Sequence, residues 1–185
     1  MTRFIIITLP DAAVCAEIEI LRKPLCERFC AFETLRYPPH VTLRTGALVP
    51  EGLESEFLEG IRQTLTGVHP FPMRTTGLYT GSYTQDQGSK PIVALEIEKT
   101  EQLISLNHRL LTYAPFRKSN RLTFRPHLSL LFGDLTEENL ERFRNEAAIE
   151  TQATTPAFEW TCNNLSIYKQ DGDNWLPYHL FPFES

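Results

Sequence analysis

Two histidines stand in the same short phrase. Pro39-His40-Val41-Thr42-Leu43 occurs in the first half of the chain, and Pro126-His127-Leu128-Ser129-Leu130 in the second. The β-branched and aliphatic residues around each histidine mark a strand. Alternate side chains of a strand share a face, so His40 goes with Thr42 and His127 with Ser129. Imidazole, with an unperturbed pKa of roughly 6.5, gives or takes a proton near neutrality. Brought side by side, the two strands would gather two imidazoles and two hydroxyls, an acid/base pair around a group with exposed oxygens. Phosphate is such a group. A purely structural repeat is the weaker reading, since burying two imidazoles costs desolvation that apolar residues would avoid.

The rest of the composition narrows the ligand. A net charge of −5 with no basic run argues against gripping a nucleic-acid duplex, which takes clustered Lys and Arg. A nucleotide-sized anion, or the end of an RNA, remains. The four cysteines, Cys15, Cys26, Cys30 and Cys162, show no metal-ligand spacing and read as reduced thiols of a cytoplasmic protein. No stretch approaches the roughly 20 apolar residues of a membrane span. The run Phe4–Leu9, stopped by Pro10-Asp11, reads as a buried first strand rather than a signal peptide. We expect a monomer that needs neither cofactor nor metal.

The elements needed to position the motifs follow from periodicity. Residues 3–9 form a strand, and Asp11 caps a helix with Val14, Ile18, Leu21 and Leu25 on its apolar side; Pro24 should kink it or start another. The first motif strand spans 39–46, ending at Gly46. A helix follows on Leu53, Phe57, Ile61 and Leu65, then a strand at 71–79. The turn-rich segment 80–89 separates the halves. Beyond it come a strand from Pro91 to Ile97, a helix capped by Thr100, and the second motif strand at 126–132. A helix capped by Thr136 follows, with Glu137 and Glu138 in its first turn, where carboxylates suit the helix dipole. Phe158–Lys169 and Trp175–Pro182 read as two closing strands around the turn 170–173. The implied fold is α+β and bilobal. One domain, 1–185, is made of two pseudo-symmetric βαβ-type lobes, about 1–80 and 90–185, with strands open to exchange between them. Mainly antiparallel sheets face a central cleft and helices lie outside.

Paired His-x-Ser/Thr motifs in a chain of this length resemble the two-histidine phosphoesterase superfamily. Within it, Arg125–Glu138 is similar to the second motif of the plant- and yeast-type cyclic nucleotide phosphodiesterases. Phe4–Pro10, Tyr37–Leu43 and Thr76-Gly77 add to the likeness. The resemblance implies metal-free hydrolysis of 2′,3′-cyclic nucleotides and ADP-ribose 1″,2″-cyclic phosphate to monoesters. It implies that His40 and His127 are catalytic, and that Thr42 and Ser129 bind phosphate. The residues support that chemistry independently: one neutral imidazole deprotonates water while one imidazolium protonates the leaving sugar oxygen. The hydroxyls donate to the nonbridging oxygens. For a 2′-phosphate product we assign His127 as base and His40 as acid.

Four further residues are candidates for substrate binding. Arg44, two beyond Thr42, shares its face by strand period, either adding charge near phosphate or ending the strand in solvent. Phe124 stands where the related enzymes carry an aromatic residue; it stacks on a base or packs in the core. Tyr79 and Tyr83 line the cleft mouth or are ordinary surface aromatics. His69, His108 and His179 lack the motif and are not candidates. Three other readings fit the motif residues: an RNA 2′,3′-cyclic phosphodiesterase acting on RNA ends, a nonenzymatic nucleotide sensor, and a metal hydrolase. The last is poorly served by two histidines without acidic or thiol partners at ligand spacing.

Overall fold

The computed structural model describes residues 1–85, 88–113 and 124–184. In chain order the strands are β1 (Thr2–Thr8), β2 (Val41–Val49), β3 (Phe71–Gln85), β4 (Gly88–Ile97), β5 (His127–Leu131), β6 (Glu159–Cys162), β7 (Asn164–Asp171) and β8 (Asn174–Pro182). The helices are α1 (Ala12–Phe29), α2 (Glu54–Leu65), α3 (Glu101–Thr112), α4 (Glu137–Glu146) and α5 (Ala148–Thr154), with a 3-10 turn at Glu33–Arg36 before the first motif. The strands join in one curled eight-stranded antiparallel sheet ordered β6-β3-β4-β5-β2-β1-β7-β8. The architecture is α+β, with the two motif strands as central neighbours.

That order interleaves the chain. β3 pairs with β4 and β6 on the β5 flank, while the carboxy-terminal hairpin β7–β8 returns to β1 on the β2 flank. The helices cross over as well: Cys26 of α1 bonds a β5 carbonyl, and Asn107 of α3 bonds a β2 carbonyl. Aromatic pairs tie the layers, with Phe4 of β1 stacked on Phe57 of α2 at 4.9 Å and Phe29 of α1 edge-on to Phe143 of α4 at 5.3 Å. Each such fully buried side chain stabilises the fold by about 1.5–3 kcal/mol.

Local signals start the helices where the sequence places them. Asp11, Thr100 and Thr136 each accept a hydrogen bond from the backbone N–H three residues on, satisfying a donor the helix cannot. Four expectations differ from the structure. Helix α1 is one helix through Pro24, so the proline does not start another. Pro24 and Ile20, whose carbonyl it cannot bond, are both solvent-exposed, so water can take that carbonyl. The first motif strand continues past Gly46, whose φ of 80° accommodates a bulge against β1. The 80–89 segment is mostly a hairpin, paired from Thr80↔Val93 to Gln85↔Gly88; residues 86–87 of it lie outside the described residues. Phe158–Lys169 is two strands, parted at Asn163, and its pieces join opposite ends of the sheet.

Candidate active site

The seam between β2 and β5 carries both motifs. Val41 faces Leu128 in antiparallel register, so one step back on β2 meets one step forward on β5. His40 therefore lies on the side of Ser129, and Thr42 on the side of His127. The burial patterns of the two strands coincide. Val41, Leu43 and Arg44 are buried with Thr42 half-buried, and Leu128, Leu130 and Leu131 are buried with Ser129 half-buried. Histidines and hydroxyls thus occupy the open face, and their neighbours turn to the helices.

A matched pair of β-bulges shapes both strands. Ile6 and Ile7, adjacent on β1, face Arg44 and Thr42; Val93 and Ala94, adjacent on β4, face Leu131 and Ser129. The extra residues are Leu43 and Leu130, each directly after the motif hydroxyl. An extra residue disrupts the ladder locally, and a buried carbonyl needs a donor. Asn107 Nδ2 donates to the Leu43 carbonyl at 2.8 Å, and Cys26 Sγ to the Leu130 carbonyl at 3.7 Å.

The imidazoles are held alike. His40 Nδ1 lies 2.9 Å from the Pro38 carbonyl, and His127 Nδ1 2.9 Å from the Arg125 carbonyl. A carbonyl only accepts, so each Nδ1 carries the proton and each neutral ring keeps Nε2 as its acceptor. The pKa of His40 is pushed below the ordinary imidazole value by burial first. The Pro38 bond opposes that shift, while the charges of Arg22 and His127 add to it. The two histidines are thus electrostatically coupled across the seam.

The other candidates fall in different places. Arg44 is not on the open face: the Leu43 bulge shifts its phase, and Nη2 donates to Asn107 Oδ1 at 2.9 Å and to the Asn107 carbonyl at 3.2 Å. Its motif counterpart, the core residue Leu131, was the overlooked sign. Phe124 is partly buried and packs against the core. Tyr79 shares a row with Ala94 and Ser129, and its ring lies 3.5 Å beneath the Arg125 guanidinium, which also pairs with Glu96. Tyr83 is beyond the far end of β5, edge-on to Phe132, with its phenol pushed up by burial and then by the Glu33 charge. His69 and His108 are exposed, and His179 lies against Phe181.

Arg22 escaped the sequence reading. It stands in the buried stripe Ile18, Arg22, Leu25, Phe29 of α1, and a charge inside an apolar stripe was the available signal. Its side chain is 2% exposed, paired with Glu19, and Nη2 donates to the Tyr37 carbonyl at 2.6 Å. Among the described residues, no cluster of His, Cys, Asp and Glu is gathered as a metal site, and no helix is long and apolar enough to cross a membrane.

Fold and family match together make this chain a two-histidine phosphoesterase. Residues 10–174 match the family model described as the 2′-5′ RNA ligase superfamily, and the chain belongs to that family of phosphoesterases. Solved structures share the fold. Usb1 of Kluyveromyces marxianus is 15% identical over 98% of both chains, with a TM-score of 0.62. TT0787 of Thermus thermophilus is 16% identical over 98% of this chain and 97% of its own, at 0.58. E. coli LigT complexed with 3′-AMP is 15% identical over 100% of this chain and 99% of its own, at 0.54. No curated protein matches the sequence.

Proposed function

We propose that this protein is a metal-independent cyclic phosphodiesterase. It opens 2′,3′-cyclic nucleotides, ADP-ribose 1″,2″-cyclic phosphate, or both, to phosphomonoesters. The observation that carries the reading is the matched anchoring of His40 and His127 by carbonyls two residues upstream, on strands that meet at the seam. His40 Nε2 takes a proton from water, the resulting hydroxide attacks phosphorus, and the bond to one ribose oxygen breaks. Imidazolium His127 gives its Nε2 proton to that leaving oxygen. Thr42 and Ser129 donate to the nonbridging oxygens as charge redistributes.

These proposed roles exchange the two assigned from the sequence, and the burial that favours neutral His40 supports the exchange. Such an imidazole is suited to accept a proton. Net charge of −5 and the nucleoside monophosphates in two similar structures, uridine monophosphate in Usb1 and 3′-AMP in LigT, support a nucleotide-sized ligand. The family description, which names an RNA reaction, favours a second reading in which the cyclic phosphate ends an RNA. Turnover of free cyclic nucleotides, ADP-ribose 1″,2″-cyclic phosphate and an oligonucleotide ending in cyclic phosphate, each with the product phosphate assigned, separates the two. Binding without product would sink both and leave a nucleotide sensor.

A further inference from the structure

The two halves of the site share strand, bulge and backing helix, and one of their differences lies behind the first histidine. Asn107 on α3 and Cys26 on α1 are counterparts, since each bonds the carbonyl of the bulged leucine in a motif strand. One helical turn earlier, α3 carries fully buried Leu103, whereas α1 carries Arg22, 2% exposed. A buried guanidinium is costly unless paired. Here it is held by Glu19 and by the Tyr37 carbonyl, at the start of the short segment that presents His40.

We propose that Arg22 is a positioning residue of the site: from the buried side of α1 its guanidinium fixes the Tyr37–His40 segment through the Tyr37 carbonyl, and its permanent positive charge helps to make His40 the proton acceptor of the pair. The charged groups acting on His40 are Arg22 and His127, both disfavouring imidazolium, while the Pro38 carbonyl favours it. Around Arg22 itself stand Glu19, its ion-pair partner, and the thiols of Cys15 and Cys26, whose ionisation it favours against their burial. The catalytic consequence rests on the phosphodiesterase reading; the effect on His40 does not.

The test is an NMR titration of the histidines in the substrate-free protein, with His40 and His127 assigned from single His→Ala variants, alongside pH–rate profiles. In Arg22→Gln and Arg22→Leu the His40 midpoint should move up, and the acid limb of kcat should move up with it. Arg22→Lys, which keeps the charge, should hold both near their original places. If the neutral variants do not fold, Glu19→Gln reads the same field, since removing the counter-charge should move the His40 midpoint down. An unmoved midpoint in folded Arg22→Gln overturns the proposal, as does a shift in Arg22→Lys equal to that in Arg22→Gln. A His40 shift without any cyclic phosphate turnover would defeat the proposed function alone. Turnover with an unmoved His40 would defeat this inference alone.

Discussion

Val41 faces Leu128 across the centre of the sheet, and among the described residues this one pair is the β2–β5 ladder. It is apolar, fully buried and flanked on either side by a histidine and a hydroxyl from opposite motifs. The pair fixes the relative height of the two strands, so the seam aligns the two imidazoles and two hydroxyls as well as closing the core.

Under the proposed mechanism each imidazole has its own task, and removing either should cut turnover sharply. We expect His40→Ala and His127→Ala each to lower kcat by about 10²- to 10⁴-fold with secondary structure retained. Thr42→Val and Ser129→Ala should lower kcat by less, roughly tenfold to a hundredfold, because one donor of several is lost. Steady-state hydrolysis of a 2′,3′-cyclic nucleotide measures both; near-normal kcat in either histidine variant would end the two-histidine scheme.

Acid should weaken the fold through His40. Its pKa is lower folded than unfolded, chiefly through burial, so between those values the unfolded chain binds more protons. Stability then rises with pH across that window. It is fully present above the ordinary imidazole value near 6.5, and is lost as pH falls toward the folded value. Thermal melts from neutral to mildly acid pH should show a smaller drop for His40→Gln than for the parent. Equal drops would mean that His40 carries no such linkage.

The doubled motif, its strands and three helix caps were legible because each is a local signal. Pro-His-x-hydroxyl phrases alternate with period two, and Asp11, Thr100 and Thr136 sit just before apolar periodic runs. What escaped depends on tertiary context. Arg44 leaves the open face because a bulge adds a residue, which period counting cannot see until β1 supplies the partner register. The 80–85 stretch is strand despite its Gly, Ser and Thr because β4 pairs with all of it. Asn163 divides β6 from β7 because each piece finds a different partner, β3 and β1. Arg22 became meaningful only when the Tyr37 carbonyl appeared beside it.

Asn107 should prove a structural keystone of the first motif. It donates to the bulged Leu43 carbonyl and accepts from the buried Arg44. Asn107→Ala strips both, leaving a buried carbonyl and weakening the hold on a buried cation. We expect a loss of roughly 2–4 kcal/mol, read as a lower urea midpoint at unchanged slope. A loss below about 0.5 kcal/mol would show that the bulge is satisfied some other way.

Tyr79 and Gly81 test whether the β3 aromatic serves the substrate. A Cβ added at Gly81 would lie 2.1 Å from Tyr79 Oη, so Gly81→Ala must displace that ring from beneath Arg125, where it now lies 3.5 Å from the guanidinium carbon. Tyr79 shares the Ser129 row, which puts it one strand beyond Ala94 from the motif hydroxyl. If the ring stacks on a nucleotide base, Tyr79→Ala and Gly81→Ala should both raise KM by about tenfold, since base–aromatic stacking is worth about 1–3 kcal/mol. Neither should change kcat much, because the imidazoles and hydroxyls stay in place, and Tyr79→Phe should retain the parent KM. Unchanged KM in folded Tyr79→Ala would leave the ring as a support for Arg125, whose carbonyl anchors His127; the loss would then fall on kcat instead.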